Sequence, residues 1–523
     1  MKKIVSVLAA ILFLSGSMFV PIIRVEALEA CTLEEMQQQT KEEEVFPDPE
    51  ASYTEVTKDS LVFHVYDAYA VLAECEDREI TEITIPAEVS GLPVIGVVNS
   101  PFGFCRKLTT ITLPDTLKYF DWWGLVSTTI VRIDSTEEPV PSVSEVFVSD
   151  TNPYYTVFDG LVYSKDMKTV IGCPPAKEMK ELQISELTET INDYAFAGCI
   201  FLETAKIPET VKHIHNAAFA VCPNLMYAEL PESITAISGE MFYYCTSLSE
   251  VEFKGTIKKI GYGAFSRCSA LVEFTIPETV FSIGSNAFEE SGCAENVNGV
   301  WYVGNWVVGS DSEIQSAVLR NGTVGIAELS FFVRSQLSYL DIPRSVKYVG
   351  DLCYAGLSSG KPSVVRYGAD SIGEKTIAPA KTMTDLYILD SECEIFDSEK
   401  AIPATYKYMV PQSEPEFDAI DWESGDTVEY DQGDIVIHGF ADSTAQAYAE
   451  KYNRKFSVIE VQSQPGDVNA DGKYSIADLV IMKKWLTSDP GAYLLNWEMA
   501  DMNHDGKLNV VDMTLMKRKL LQQ

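Results

Sequence analysis

The sequence predicts a repeat solenoid of short parallel strands with loop or helical returns, followed by a small all-α module at the C-terminus. Three observations predict it. A 23-residue period holds in several registers at once, each period contains a strand-like alternation, and two matching acidic loops follow near the end of the chain.

The period is carried by Ile191, Ile214, Ile237, Ile260 and Ile283, and again by Phe196, Phe219, Phe242, Phe265 and Phe288. Leu202, Leu225, Leu248 and Leu271 keep the same step, as do Pro208, Pro231 and Pro277, with Lys254 replacing proline in the third repeat. One repeat cannot bury its own apolar face, whereas stacked repeats make a continuous core. The strand segment is Leu202-x-x-Ala205-x-Ile207 and its copies to Leu271-x-x-Phe274-x-Ile276. Proline donates no ladder hydrogen bond and suits the strand end that follows. Side chains alternating with the core residues form an outward face: Thr204, Lys206, Tyr227, Glu229, Glu250, Glu252, Glu273 and Thr275. That face is either a contact surface or simply solvated.

These residues, in the text INDYAFAGCIFLETAKIPETVKHI and its copies, resemble the BspA-like leucine-rich repeats of bacterial surface and secreted proteins. The resemblance extends to copies at 102–120 and 337–356. Two segments break the period, 152–175 and 298–311, and read as inserted hairpins with Asp159-Gly160 and Gly304-Asn305 as turns. Residues 385–397 read as one more rung. Residues 439–456 read as a capping helix starting at Asp442 or Ser443. The acidic, proline-dotted stretch 403–434 reads as an insertion loop. The solenoid is thus expected over 55–460.

The strongest chemical signal is Asp467-x-Asn469-x-Asp471-Gly472-x-x-Ser475-x-x-Asp478, repeated as Asp501-x-Asn503-x-Asp505-Gly506-x-x-Asn509-x-x-Asp512. Calcium takes six to eight hard oxygen ligands, and oxygens at alternate places of a tight loop converge on one point. Lys473 and Lys507 would lend main-chain carbonyls, and Ser475 and Asn509 would act through water. Two calcium ions are expected. Each loop runs into a helix, with Leu479, Met482 and Leu486 on the first and Met513, Met516 and Leu520 on the second. No helix precedes the first loop, because 461–465 reads as a linker.

This duplicated loop-helix resembles a type I dockerin over 466–523. The resemblance implies docking onto a cohesin of a scaffoldin, as in cellulosomes. It also implies partner-reading positions at Ile476, Ala477, Lys483 and Lys484, and at Val510, Val511, Lys517 and Arg518. The first pair departs from the Ser/Thr often found in clostridial dockerins, which leaves the cohesin type open.

A net charge of -37 argues against nucleic acid and anionic membranes as partners. Lys2 and Lys3 before the apolar run Ile4 to Val20 predict a signal peptide over 1–27, then an acidic leader over 28–54. Leu28-Glu29-Ala30-Cys31 gives a second, lipoprotein-like reading. No later run is long and apolar enough to span a membrane. The expected location is extracellular, held at the cell surface where a scaffoldin is. Of eleven cysteines, Cys199, Cys222, Cys245 and Cys268 fall on the repeat and read as buried thiols rather than disulfides. No catalytic motif is found. His213-x-His215 has no third ligand, and neither a Gly-x-Ser-x-Gly elbow nor a phosphate loop occurs. The reading is a non-catalytic binding or adhesion subunit in a plant-polysaccharide context, with an unknown protein or carbohydrate on the repeat face. The alternatives are a dockerin-bearing enzyme of polysaccharide breakdown and a structural spacer.

Overall fold

The computed structural model describes residues 52–126, 142–332, 334, 336–351, 353, 363–373, 376–377, 383–399, 401–402, 409–411, 427–429, 435–459, 464–469, 473–487, 494 and 497–522. The expected signal peptide, the leader up to 51, Asp471, Gly472 and most of 403–434 lie outside them. The chain divides into two compact units, Met1–Ile234 with Met241–Gly255, and Thr235–Glu240 with Thr256–Gln523.

The first unit opens with an antiparallel meander, Thr54–Lys58, Leu61–Val65 and Ala70–Cys75, before any parallel rung forms. Parallel rungs follow at Glu82–Thr84, Thr110–Leu113 and Glu145–Val148. Helix α1 (Trp122–Val126) buries Trp122 and Leu125 in the same core. At the first break in the period, Tyr155–Phe158 pairs antiparallel with Leu161–Ser164. Asp159 and Gly160 turn the chain with φ of 50 and 76, the left-handed pair that a two-residue hairpin needs.

The regular turns then stack with the sequence period as their register. Thr204 pairs with Tyr227, and Tyr227 with Glu250, in parallel. The apolar series become columns. Phe196 stacks on Phe219 at 5.2 Å between ring centroids, and Phe219 on Phe242 at 5.8 Å, all three fully buried. The cysteine column does more than fill space. Cys222 Sγ donates to the Phe196 carbonyl at 3.1 Å, and Cys245 Sγ to the Phe219 carbonyl at 3.1 Å. Each thiol thereby satisfies a buried carbonyl of the preceding turn. Every described cysteine is a free thiol.

In the second unit the same rule gives Ala236–Ile237, Lys259–Ile260 and Ser282–Ile283. Phe265 stacks on Phe288 at 5.4 Å. One expected rung is corrected: 271–276 carries no strand, so Glu273 and Thr275 are exposed but belong to no ladder. Phe274 stands where other turns have Ala205, Ala228 or Val251. Its ring lies against Phe265 at 5.1 Å and Phe288 at 5.3 Å, and so bulky a group holds the backbone off the ~4.8 Å spacing a ladder requires. At the second break, Val300–Val303 pairs with Trp306–Ser310 across Gly304-Asn305. A further strand, Glu295–Val297, joins through Asn298-Gly299, a turn dipeptide the sequence reading passed over.

A six-stranded parallel sheet closes the solenoid: Ser316–Val318, Tyr339–Ile342, Ser363–Tyr367, Met383–Ile388, Val436–Gly439 and Phe456–Val458. Its inward side holds Leu340, Val365, Leu386 and Ile437. Helix α2 (Thr444–Lys451) packs on the end, with Ser443 rather than Asp442 as N-cap, accepting from Gln446 N. Within 403–434, Met409–Pro411 and Thr427–Glu429 pair antiparallel. The chain ends in helices α3 (Ile476–Leu486), α4 (Trp497–Ala500) and α5 (Val510–Leu520). Among the described residues, no helix is long and apolar enough to cross a membrane.

Candidate metal centre and docking face

Helices α3 and α5 begin alike because their loops are copies. Ser475 and Asn509 are the N-caps, accepting from Ala477 N at 3.1 Å and Val511 N at 2.7 Å. Asp478 and Asp512 sit three places on and complete capping boxes, accepting from the cap amides Ser475 N at 2.7 Å and Asn509 N at 2.9 Å. Their other oxygens reach back across the loops, to Val468 N at 3.0 Å and Met502 N at 3.0 Å. One carboxylate therefore closes each loop and starts each helix.

Asp467, Asp478 and Asp512 are fully buried. Asp478 and Asp512 accept from main-chain amides and, for Asp478, from the Ser475 hydroxyl at 3.1 Å; among the described residues neither forms an ion pair with a cationic side chain. A buried anion without a counter-charge is costly. The named positions offer carboxylate, amide, hydroxyl and main-chain oxygens, with neither sulfur nor imidazole, which is the donor chemistry of a hard cation. Gly506, at φ 74, takes the left-handed turn that its place in the loop requires.

The second loop is wound on itself. Asp501 Oδ2 accepts from Gly506 N at 2.8 Å, Asp505 Oδ1 from Lys507 N at 2.9 Å, and Asn503 Nδ2 donates to Asp505 Oδ2 at 2.8 Å. Lys473 and Lys507 are exposed. Among the described residues no three or more acidic, histidine or cysteine side chains are gathered as a metal cluster. Asp471, one of the four carboxylate and amide positions of the first loop, lies outside them. His213 and His215 are both exposed on the solenoid.

The expected partner-reading residues all reach solvent. Ile476 is 69 % exposed, Val510 62 % and Val511 53 %, and Ala477, Lys483, Lys484, Lys517 and Arg518 are exposed too. Helical spacing adds Val480 and Leu521, both exposed; the step of four from Ile476 to Val480 was available in the sequence. Two like stripes result, apolar at the helix start and basic toward its end.

The core beneath joins both copies: Val468, Tyr474, Met482, Trp485, Leu508 and Met516 are buried together. Tyr474 donates its hydroxyl to the Met516 carbonyl. That core also includes Val318 and Leu389 of the solenoid sheet. Trp485, Tyr474 and this junction were not anticipated, since the helical apolar pattern alone pointed to Leu479, Met482 and Leu486.

On the solenoid face, Lys206, Glu250 and Glu252 are exposed and Thr204, Tyr227 and Glu229 half-buried. Tyr227 donates to Glu252 at 2.7 Å and Glu229 at 3.2 Å. Lys254 pairs with Glu209 at 3.0 Å and also with Glu229.

A sequence profile of the BspA type leucine-rich repeat region matches in six copies over 175–294 and 298–398. A profile of the dockerin type I domain matches 465–521. Similar solved structures include a leucine-rich cell surface protein from Faecalibacterium prausnitzii A2-165, at 21% identity over 65% of this chain and 89% of that one, with a TM-score of 0.28. A leucine-rich repeat protein from Bacteroides ovatus ATCC 8483 matches at 18% identity over 64% and 77%, with a TM-score of 0.32. Another, from Eubacterium ventriosum ATCC 27560, matches at 16% over 47% and 97%, with a TM-score of 0.26. No curated protein matches the sequence. Type I dockerin domains bind calcium, and such a domain implies docking to a cohesin. With periodic turns, duplicated loops and both profiles in agreement, the chain is a BspA-type leucine-rich repeat protein with a C-terminal type I dockerin domain.

Proposed function

We propose that this chain is an exported, non-catalytic binding subunit whose dockerin, loaded with two calcium ions, plugs into a scaffoldin cohesin while the solenoid presents its strand face to a protein or carbohydrate. The ligands are Asp467, Asn469, Asp471, Ser475 and Asp478 with the Lys473 carbonyl, and Asp501, Asn503, Asp505, Asn509 and Asp512 with the Lys507 carbonyl. The observation that carries the reading is the pair of exposed stripes. Ile476, Val510 and Val511 stand in water at the starts of two capped helices, and exposed apolar residues clustered beside charge mark a protein-binding surface. Apolar contact supplies burial, and the lysines and arginine steer toward an acidic cohesin.

Titration of the full chain with a type I cohesin, in calcium and in chelator, tests this. Binding is expected in calcium alone. Reversing Lys483 and Lys484 to Glu should weaken it modestly, as should reversing Lys517 and Arg518, while reversing all four should remove it. Equal binding in chelator, or none in calcium, would sink the proposal. Complete loss from one pair alone would show a single fixed binding mode.

A further inference from the structure

The parallel register of the closing sheet lines up Val318, Asp341, Arg366, Tyr387 and His438 on neighbouring strands. The columns beside them, from Ala317 through Leu340, Val365 and Leu386 to Ile437, face the solenoid core. Alternation therefore turns the first row outward, the side that should meet water. Three of its five places do not meet water, while Tyr387 and His438 are half-buried. Val318 is 7 % exposed, Asp341 1 % and Arg366 2 %. Val318 and Leu389 are absent from the solenoid core and belong instead to the core of the dockerin, with Tyr339 and Tyr387 packed against it. Arg366 donates to the main-chain carbonyl of Leu494, which lies between the two dockerin halves.

We infer that this outward row is the seat of the chain's own dockerin, which is held there in a fixed pose with both docking stripes free. The seat is built rather than casual. Arg366 lies across from Asp341 at 3.6 Å, and Tyr339 donates to the same carboxylate at 3.3 Å. Seating takes both charges out of water, and their pairing with each other, with Tyr339 and with the Leu494 carbonyl offsets part of that cost. The linker agrees. Ile459 packs into the same core, and only 460–463 separate it from Gln464, a reach of about 17 Å at full extension. So short a tether keeps the effective concentration at the seat high. Ile476, Val480, Val510 and Val511 remain exposed with the module seated, so seating and cohesin docking are compatible. A ligand on this row and the seated dockerin, by contrast, exclude one another.

The test needs no cohesin, so its failure leaves the docking proposal untouched. The full chain in calcium chloride is treated with phenylglyoxal, and modification of Arg366 is compared with that of exposed Arg106. At least tenfold slower modification of Arg366 is expected. The double variant Val318→Asp with Leu389→Asp places two carboxylates in the seat without touching the solenoid core. It should bring Arg366 to the rate of Arg106 and speed amide exchange in 476–486 at least tenfold, while strand Ser363–Tyr367 stays protected. Equal rates for the two arginines in the wild type would overturn the proposal. So would an Arg366 still shielded in a folded double variant. If the variant melts the second unit, the wild-type comparison alone decides.

Discussion

Asp478 and Asp512 each serve a turn and a helix with one carboxylate, and their removal should be felt twice. Asp512→Ala leaves Met502 N and Asn509 N without their acceptor, at about 1–3 kcal/mol for a buried donor left unpaired, and also breaks a cap worth about 1 kcal/mol. Because Asp512 is also a proposed calcium ligand, urea denaturation of the dockerin in calcium should show a loss of at least that sum; an unchanged midpoint would contradict it. On the solenoid, Glu189 accepts from Lys168 Nζ at 2.7 Å and Lys212 Nζ at 2.8 Å, and the two ammoniums hold its carboxyl down to about 2. A carboxyl whose folded value lies below its unfolded one stabilises the fold above the unfolded value, and the benefit fades as pH falls toward the folded one. Glu189 should thus remain ionised at about pH 3, where an unperturbed glutamate is mostly protonated. An NMR titration with an ordinary glutamate midpoint would refute the bridge.

At the scale of the element, one rule explains most turns: the sequence period becomes the strand register, and like residues stack on like. Phe219 sits between Phe196 and Phe242, so Phe219→Ala should cost about 3–5 kcal/mol, read as a drop in the solenoid's unfolding midpoint. The thiol column should be indifferent to reductant. Cys222 and Cys245 donate to carbonyls, and contact with Cys173 together with burial pushes the Cys199 thiol well above its ordinary value. Protonated, buried thiols are inert, so a reducing agent should leave the melting temperature unchanged. Bridges found by mass spectrometry would contradict this. These columns were legible because a repeat writes the same contact many times. The missing strand at 271–276 was not, because it depends on one ring, Phe274, packed between Phe265 of its own repeat and Phe288 of the next. The two acidic loops and the helices they run into were legible because all the parts of each copy lie close together in the sequence. The seat was not, because Arg366 and Leu494 stand 128 residues apart and no local pattern links them.

For the whole molecule the question is what calcium holds together. The solenoid cores are clusters of aliphatic, aromatic and cysteine side chains. The dockerin core lies between two loops that bury Asp467, Asp478 and Asp512, the loops for which calcium is proposed. Binding to the folded state alone stabilises it by about 2.7 kcal/mol at a hundredfold excess over Kd. In a domain this small, each kcal/mol moves the midpoint by about 4–8 °C. Calorimetry of the full chain should therefore resolve a transition that falls by more than about ten degrees in chelator, and a solenoid transition that does not move. Hydrogen exchange would assign them: 476–486 and 510–520 should lose protection in chelator, while Thr204–Lys206 and Tyr227–Leu230 keep theirs. Arg366 marks the boundary between the two behaviours. Its strand should stay protected, because Val365 and Tyr367 remain in the solenoid core, yet its guanidinium should become reactive once the dockerin lets go. Both transitions falling together would mean that calcium sustains the solenoid as well; neither falling would mean that the loops hold no calcium that matters to folding.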